Sequence, residues 1–71
     1  MKTYTIQTTL RDLREAEGMT QAELAKTVGT SRQTICSLEK GDYIPSLTLA
    51  LLIARKFKKP VEEVFSLKKK A

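Results

Sequence analysis

The feature that most limits how this chain can fold is its punctuation. Short apolar-periodic runs are each closed by a helix stop and reopened by a helix cap. Thr8 and Thr9 stand as N-cap candidates before Leu10, Leu13 and Glu17 at helical spacing, and Gly18 stops that run. Thr20-Gln21-Ala22-Glu23 is a capping-box pattern, in which the Thr side chain takes the amide at Glu23 and Glu23 reaches back. Leu24, Ala25 and Val28 then give one apolar face, and Gly29 ends it. Ser31 caps a third segment with Ile35 and Leu38 apolar and Gly41 as its stop; Pro45-Ser46 opens a fourth that runs to about Phe57. Lys59-Pro60 opens a short fifth helix with Val61, Val64 and Phe65 apolar, since proline suits the first helical position. The expectation is an all-α domain of five helices joined by loops of two to five residues. Lys2 to Ile6 alone reads as extended, with Tyr4 and Ile6 on one face.

Size sharpens this frame. The chain has 71 residues, 41% of them apolar and 30% charged, which is globular composition. A domain near 60 residues buries only about 60% of its unfolded surface, so it needs good helix packing or a partner subunit. The expected division is a strand or dimerisation arm over residues 1–7, a helical core over 8–65 and a basic tail over 66–71. In the fourth helix, Leu47, Ala50, Leu51, Ala54 and Phe57 would fill one core-facing side, leaving Leu49 and Leu52 to the chain's own termini or to a second subunit.

Composition removes whole classes of chemistry. With one Cys there is no internal disulfide framework, which suits a reducing cytoplasm. Without His, neither a Cys/His zinc site nor a Ser-His or Cys-His catalytic pair can be built. The start, MKTYTIQTT, lacks a signal-peptide core, and the longest near-apolar run, Leu47 to Ala54, is far short of the roughly 20 residues that span a membrane. No Gly-rich phosphate loop occurs. The expectation is a cytoplasmic binding module that is no enzyme and carries no cofactor or metal.

The net charge of +5 invites nucleic acid as a partner. All five excess charges lie in residues 31–71, three of them in Lys68-Lys69-Lys70, which read as a solubilising tail. The segment Thr20 to Lys40 carries a net charge of only +1. Its pattern is more informative than its charge, because two short helices about a Gly-containing turn make a helix-turn-helix. At about 100° per residue, Ile35, Leu38 and Glu39 share the inward side of the third helix, while Gln33, Ser37 and Lys40 share the outward side. Arg32 reaches forward from the first turn. Such an outward row suits a major groove, where Arg pairs with G and Gln with A.

Leu10-Arg11-Asp12-Leu13-Arg14, Gly18 to Ala25, Val28 to Ile35, Leu38-Glu39-Lys40-Gly41 and Tyr43 to Leu47 closely resemble the Cro/phage-repressor (XRE-type) helix-turn-helix family, in order and spacing from about Leu10 to Phe65. The resemblance implies a five-helix lambda-repressor-like fold that can carry short terminal β-strands, and a sequence-specific regulator of double-stranded DNA. It implies that Arg32, Gln33 and Ser37 read bases, and that Gln21, Ser31, Thr34 and Lys40 contact phosphate. Two departures stand out: acidic Asp42 just past the third helix, and Lys59 where a capping residue is more usual. Arg14 and Glu39 lie on the buried sides of their helices and are expected to meet as a structural ion pair; the resemblance points the same way. Cys36 falls on the flank of the third helix and reads as an inert filler. Short members of the family are homodimers, so a two-fold dimer is expected through the fifth helix, Phe65 to Leu67 and the N-terminal strand, binding a near-palindromic operator as a repressor. The alternative is an antitoxin-like, partner-controlled DNA-binding module using Leu49, Leu52 and the basic C-terminal end.

Overall fold

The computed structural model describes residues 3–70. Five helices and two strands follow in the order β1 (Tyr4–Thr8), α1 (Leu10–Ala16), α2 (Gln21–Val28), α3 (Arg32–Lys40), α4 (Leu47–Phe57), α5 (Val61–Val64) and β2 (Phe65–Lys69). The fold is mostly helical. Three helices open on side-chain caps. Thr20 Oγ1 accepts the Glu23 amide at 3.0 Å while Glu23 Oε1 accepts the Thr20 amide at 2.8 Å, which completes the capping box. The Thr20 backbone and hydroxyl bonds hold the Glu23 carboxyl below its ordinary range. Ser31 and Ser46 accept the amides of Thr34 and Leu49, each at 3.1 Å.

The ends of α1 to α4 share one device, a residue with positive φ. After α3, Gly41 turns left-handed (φ +79°), its amide donates to Leu38 O, and the Asp42 amide donates to Ser37 O at 3.0 Å. This double bond satisfies carbonyls that the helix end leaves open, and glycine adopts the required φ without a Cβ clash. After α4 the same turn falls on Lys58, at φ +56°. Here the Lys59 amide closes onto Ala54 O at 3.1 Å.

The core gathers one face from each helix. Leu10, Leu24, Ile35, Leu38, Ile53 and Val64 are wholly buried. Burying each stabilises the fold by about 1.5–3 kcal/mol relative to exposure. Ala25, nearly without exposure, lets α2 and α3 approach closely.

Several expectations need correction. Thr9, at the N-cap of α1, makes no side-chain cap bond, whereas Thr8 Oγ1 accepts the Leu10 amide at 3.1 Å. The Thr9 and Thr8 hydroxyls also donate across the chain, to Glu63 O and Val64 O respectively, both at 2.8 Å. With the Thr9 amide donating to Val64 O at 3.0 Å, they clamp the end of α5 to the start of α1. That clamp sets the two termini side by side as an antiparallel pair, Tyr4 opposite Lys69, Ile6 opposite Leu67 and Thr8 opposite Phe65. The arm is therefore paired with its own chain. Residues 66–69 of the expected basic tail are strand, Lys2 and Ala71 lie outside the described residues, and Thr8 belongs to β1 rather than to the helical core.

Helix α4 buries Ala50, Ile53, Ala54 and Phe57, with Leu49 packed against the core, while Leu47, Leu51 and Leu52 are exposed. The expected face was thus rotated, since Ile53 rather than Leu47 and Leu51 meets the other helices. Pro60 sits one position before the first helical residue of α5. Phe65 has left α5 and begins β2, and the α3–α4 connection, Gly41 to Ser46, is six residues.

Candidate nucleic-acid interface

The α2–turn–α3 unit is fixed to α1 by one polar network. Arg14 grips Glu39 with two parallel bonds, Nε to Oε2 at 2.6 Å and Nη2 to Oε1 at 3.1 Å. Arg14 Nη1 also donates to Met19 O at 2.7 Å, tying down the chain that leads into α2. The side chains are 11% and 5% exposed. Burial pushes the Glu39 carboxyl upward, but hydrogen bonds from Arg14 and Gln21 and the charges of Arg14 and Arg11 carry it below its ordinary value. The bond to Glu39 holds the Arg14 guanidinium above its own. Both stay ionised at neutral pH.

Gln21 extends the network to the surface. Its Nε2 donates to Glu39 Oε1 at 3.0 Å, so its Oε1 faces out and accepts from Arg32 Nη1 at 3.4 Å. A carboxylate accepts only, which fixes the orientation of the amide. Gln21 is therefore partly engaged inward and keeps one N–H for an outside acceptor.

The outward side of α3 divides into two flanks. On one, Lys40 and Cys36 lie beside Arg11, Arg14, Gln21 and Glu39 around a shallow recess. On the other, Ser31, Gln33, Thr34 and Ser37 lie around a second recess closed by Tyr43. Arg32 and Gln33 are exposed between the N-terminus of α3 and solvent. Ser31 Oγ and Thr34 Oγ1 bond each other at 2.8 Å, so the start of α3 presents paired hydroxyls as well as open amides. Ser31, Gln33, Thr34 and Ser37 thus share one recess and Gln21 and Lys40 the other, with Arg32 bonded to Gln21. Arg14 and Glu39 line the recess of Gln21 and Lys40.

Two residues beside this surface escaped the sequence expectation. Arg11 lies on the side of α1 that also carries Arg14, three residues away, and its Nε bonds Glu15 at 3.2 Å on the surface. Once Arg14 is assigned toward α3, helical spacing places Arg11 on the same flank. Tyr43 is brought back beside Ser37 by the turn at Gly41, a through-space relation with no local periodic signal. Cys36 is half-buried and unbridged. Among the described residues no group of Cys, Asp and Glu is arranged to hold a metal, and no helix is long and apolar enough to cross a membrane.

Two helices crossing at a tight turn, the second with an exposed polar side, define a DNA-binding helix-turn-helix. Residues 10–64 match the helix-turn-helix family model, and the chain belongs to that family, in its XRE-type branch. It is 53% identical over 60 residues to an HTH-type transcriptional regulator of Archaeoglobus fulgidus, covering 84% of this chain and 86% of that one. It is 48% identical over 56 residues to an HTH-type transcriptional regulator of Bacillus subtilis, covering 79% and 85%. Among solved structures, the restriction-modification controller protein C.AhdI from Aeromonas hydrophila superposes with a TM-score of 0.70 at 33% identity, covering 76% of this chain and 82% of that one. The fold is lambda-repressor-like. The chain is a transcriptional regulator with a helix-turn-helix DNA-binding domain.

Proposed function

We propose that this regulator is a cytoplasmic repressor that binds a near-palindromic operator as a homodimer, with α3 in the major groove. The observation that carries this is the side of α3 where Arg32, Gln33 and Ser37 stand together, on a helix held to α1 and α2 by the Arg14–Glu39–Gln21 network. Arg32, Gln33 and Ser37 read base edges. Ser31, Thr34, Lys40 and the free N–H of Gln21 take phosphates, and Arg11 extends the phosphate contacts along the Lys40 flank. Asp42 stands next to this surface and limits how closely the α3–α4 loop follows the backbone.

The dimer is supported by what the sheet leaves uncovered. Tyr4, Ile6, Leu67 and Ile44 line an apolar groove of about 390 Å³, and Leu67 is 65% exposed. Each strand also keeps one edge without a strand partner among the described residues. A second copy covers both. Helix α5 contributes less than expected, because Val64 is spent in the core and Glu62 and Glu63 are its exposed residues. Repression by occupancy then requires only the DNA face and the dimer face.

Random-site selection followed by footprinting tests this reading. The expected result is a near-palindrome with half-site centres about 10–10.5 base pairs apart. No enriched sequence, or a single half-site, contradicts it. A partner-controlled, antitoxin-like module is the second reading. Leu52, exposed on α4 together with Leu47 and Leu51, favours it; Leu49 does not serve, since it packs on the core. A small protein that co-purifies and changes DNA affinity would select it.

A further inference from the structure

The recess on the Gln33 side of α3 has a volume of about 280 Å³ and is lined by Ser31, Gln33, Thr34, Ser37 and Tyr43. All five offer a hydroxyl or an amide. Tyr43 alone adds a flat aromatic wall; it is 45% exposed and is not among the side chains that pack the core. Its position is built in. The left-handed turn at Gly41 and the Asp42 amide bond to Ser37 O fold the chain back along α3, and Tyr43 lines the same recess as Ser31, Gln33, Thr34 and Ser37.

The chemistry of the groove gives this wall a counterpart. Arg32, Gln33 and Ser37 answer the donors and acceptors of base edges. The major groove also displays one apolar group, the C5-methyl of thymine, which only an apolar surface recognises. An amide bound to adenine brings that methyl close, because adenine and the methyl belong to one base pair. We propose that Tyr43 is a specificity-determining residue, its ring reading the 5-methyl group of a thymine at or next to the pair bound by Gln33. The inference rests on the reading that α3 enters the major groove. Tyr43 adds to that reading a preference for A·T at a defined position, through contact with a group that makes no hydrogen bond.

The test replaces each thymine of the selected operator in turn by deoxyuridine, which removes only the methyl. Binding is measured for the wild-type chain, Tyr43→Ala and Tyr43→Phe. The expected result is one position per half-site where deoxyuridine weakens wild-type binding by about fourfold, the worth of one buried methyl. Tyr43→Phe keeps that sensitivity, while Tyr43→Ala loses it and binds the two duplexes equally. Wild-type indifference at every thymine overturns the proposal, even if Tyr43→Ala does not fold. So does a sensitivity that survives in folded Tyr43→Ala. Affinity lost equally in Tyr43→Phe and Tyr43→Ala, with methyl sensitivity unchanged, assigns the phenol to a phosphate and also overturns it. If random-site selection yields no operator, the major-groove reading fails; if it yields one that ignores the methyls, only the Tyr43 proposal fails.

Discussion

Replacing Arg14 by alanine removes the donor that neutralises a carboxylate only 5% exposed. Three bonds are lost: two to Glu39, at 2.6 and 3.1 Å, and one to Met19 O at 2.7 Å. Gln21 remains as a neutral donor to Glu39, at 3.0 Å. Removing one partner of a buried pair costs about 3–5 kcal/mol, because the charge left behind is desolvated and unmatched. A chain of 71 residues at about 0.05–0.15 kcal/mol per residue holds roughly 4–11 kcal/mol in all. The loss is therefore a large part of the total. In a domain of this size each kcal/mol moves Tm by about 4–8 °C, so Arg14→Ala should melt at least about 12 °C below wild type, read by circular dichroism at pH 7. The double variant Arg14→Met/Glu39→Met separates packing from charge. It should be more stable than either single variant, since an apolar pair of similar volume leaves no buried charge. The reasoning is refuted if Arg14→Ala melts within about 2 °C of wild type, or if the double variant is no better than the singles.

Acid should weaken the fold through the same pair. The Glu39 carboxyl is depressed in the folded chain, so its contribution is complete above the ordinary value of 4.5 and disappears as pH falls through the folded value. Urea midpoints at decreasing pH should therefore fall more steeply in wild type than in Glu39→Gln, and parallel curves would count against it. Lys58 holds a left-handed φ of +56° that suits glycine, so Lys58→Gly should gain about 0.5–1 kcal/mol, seen as a higher Tm. An unchanged or lower Tm would show that the Lys58 turn is not strained. Leu67→Asp places a charge in the apolar groove of the sheet, and light scattering should report a monomer with the helical signal intact. A dimer of unchanged stability would move the interface elsewhere.

Local chemistry made much of this fold legible. Thr20, Ser31 and Ser46 announce helix starts because a hydroxyl can satisfy only nearby orphan amides, and Gly18, Gly29 and Gly41 announce ends because the closing turn needs positive φ. Arg14 and Glu39 could be matched because a lone charge on each buried face demands a partner. The phase of α4 was not legible. Leu47, Leu49, Leu51, Leu52 and Ile53 surround the helix, and periodicity cannot choose among them when most positions are apolar. Contact with the other helices chose Ile53. The bounds and pairing of β2 were not legible for a different reason, since Phe65-Ser66-Leu67-Lys68-Lys69 pairs with residues some 60 positions earlier and its lysines read as a tail. Lys58 carries no turn signal at all. At the candidate site, helical phase put Gln33 and Ser37 on the outward side of α3, where both line one recess. The inward engagement of Gln21 and the return of Tyr43 beside Ser37 depend on tertiary geometry.

The central claim is that α3 reads sequence rather than merely holding phosphate. Gln33→Ala tests it most directly, because Gln33 is exposed, uncharged and outside the network that supports the helix. Dissociation constants for wild type and Gln33→Ala, measured at one salt concentration on the selected operator and on a scrambled duplex, give the answer. The account predicts a loss of about 1–3 kcal/mol on the operator and no change on the scrambled duplex. An equal loss on both duplexes, or none on the operator, contradicts it.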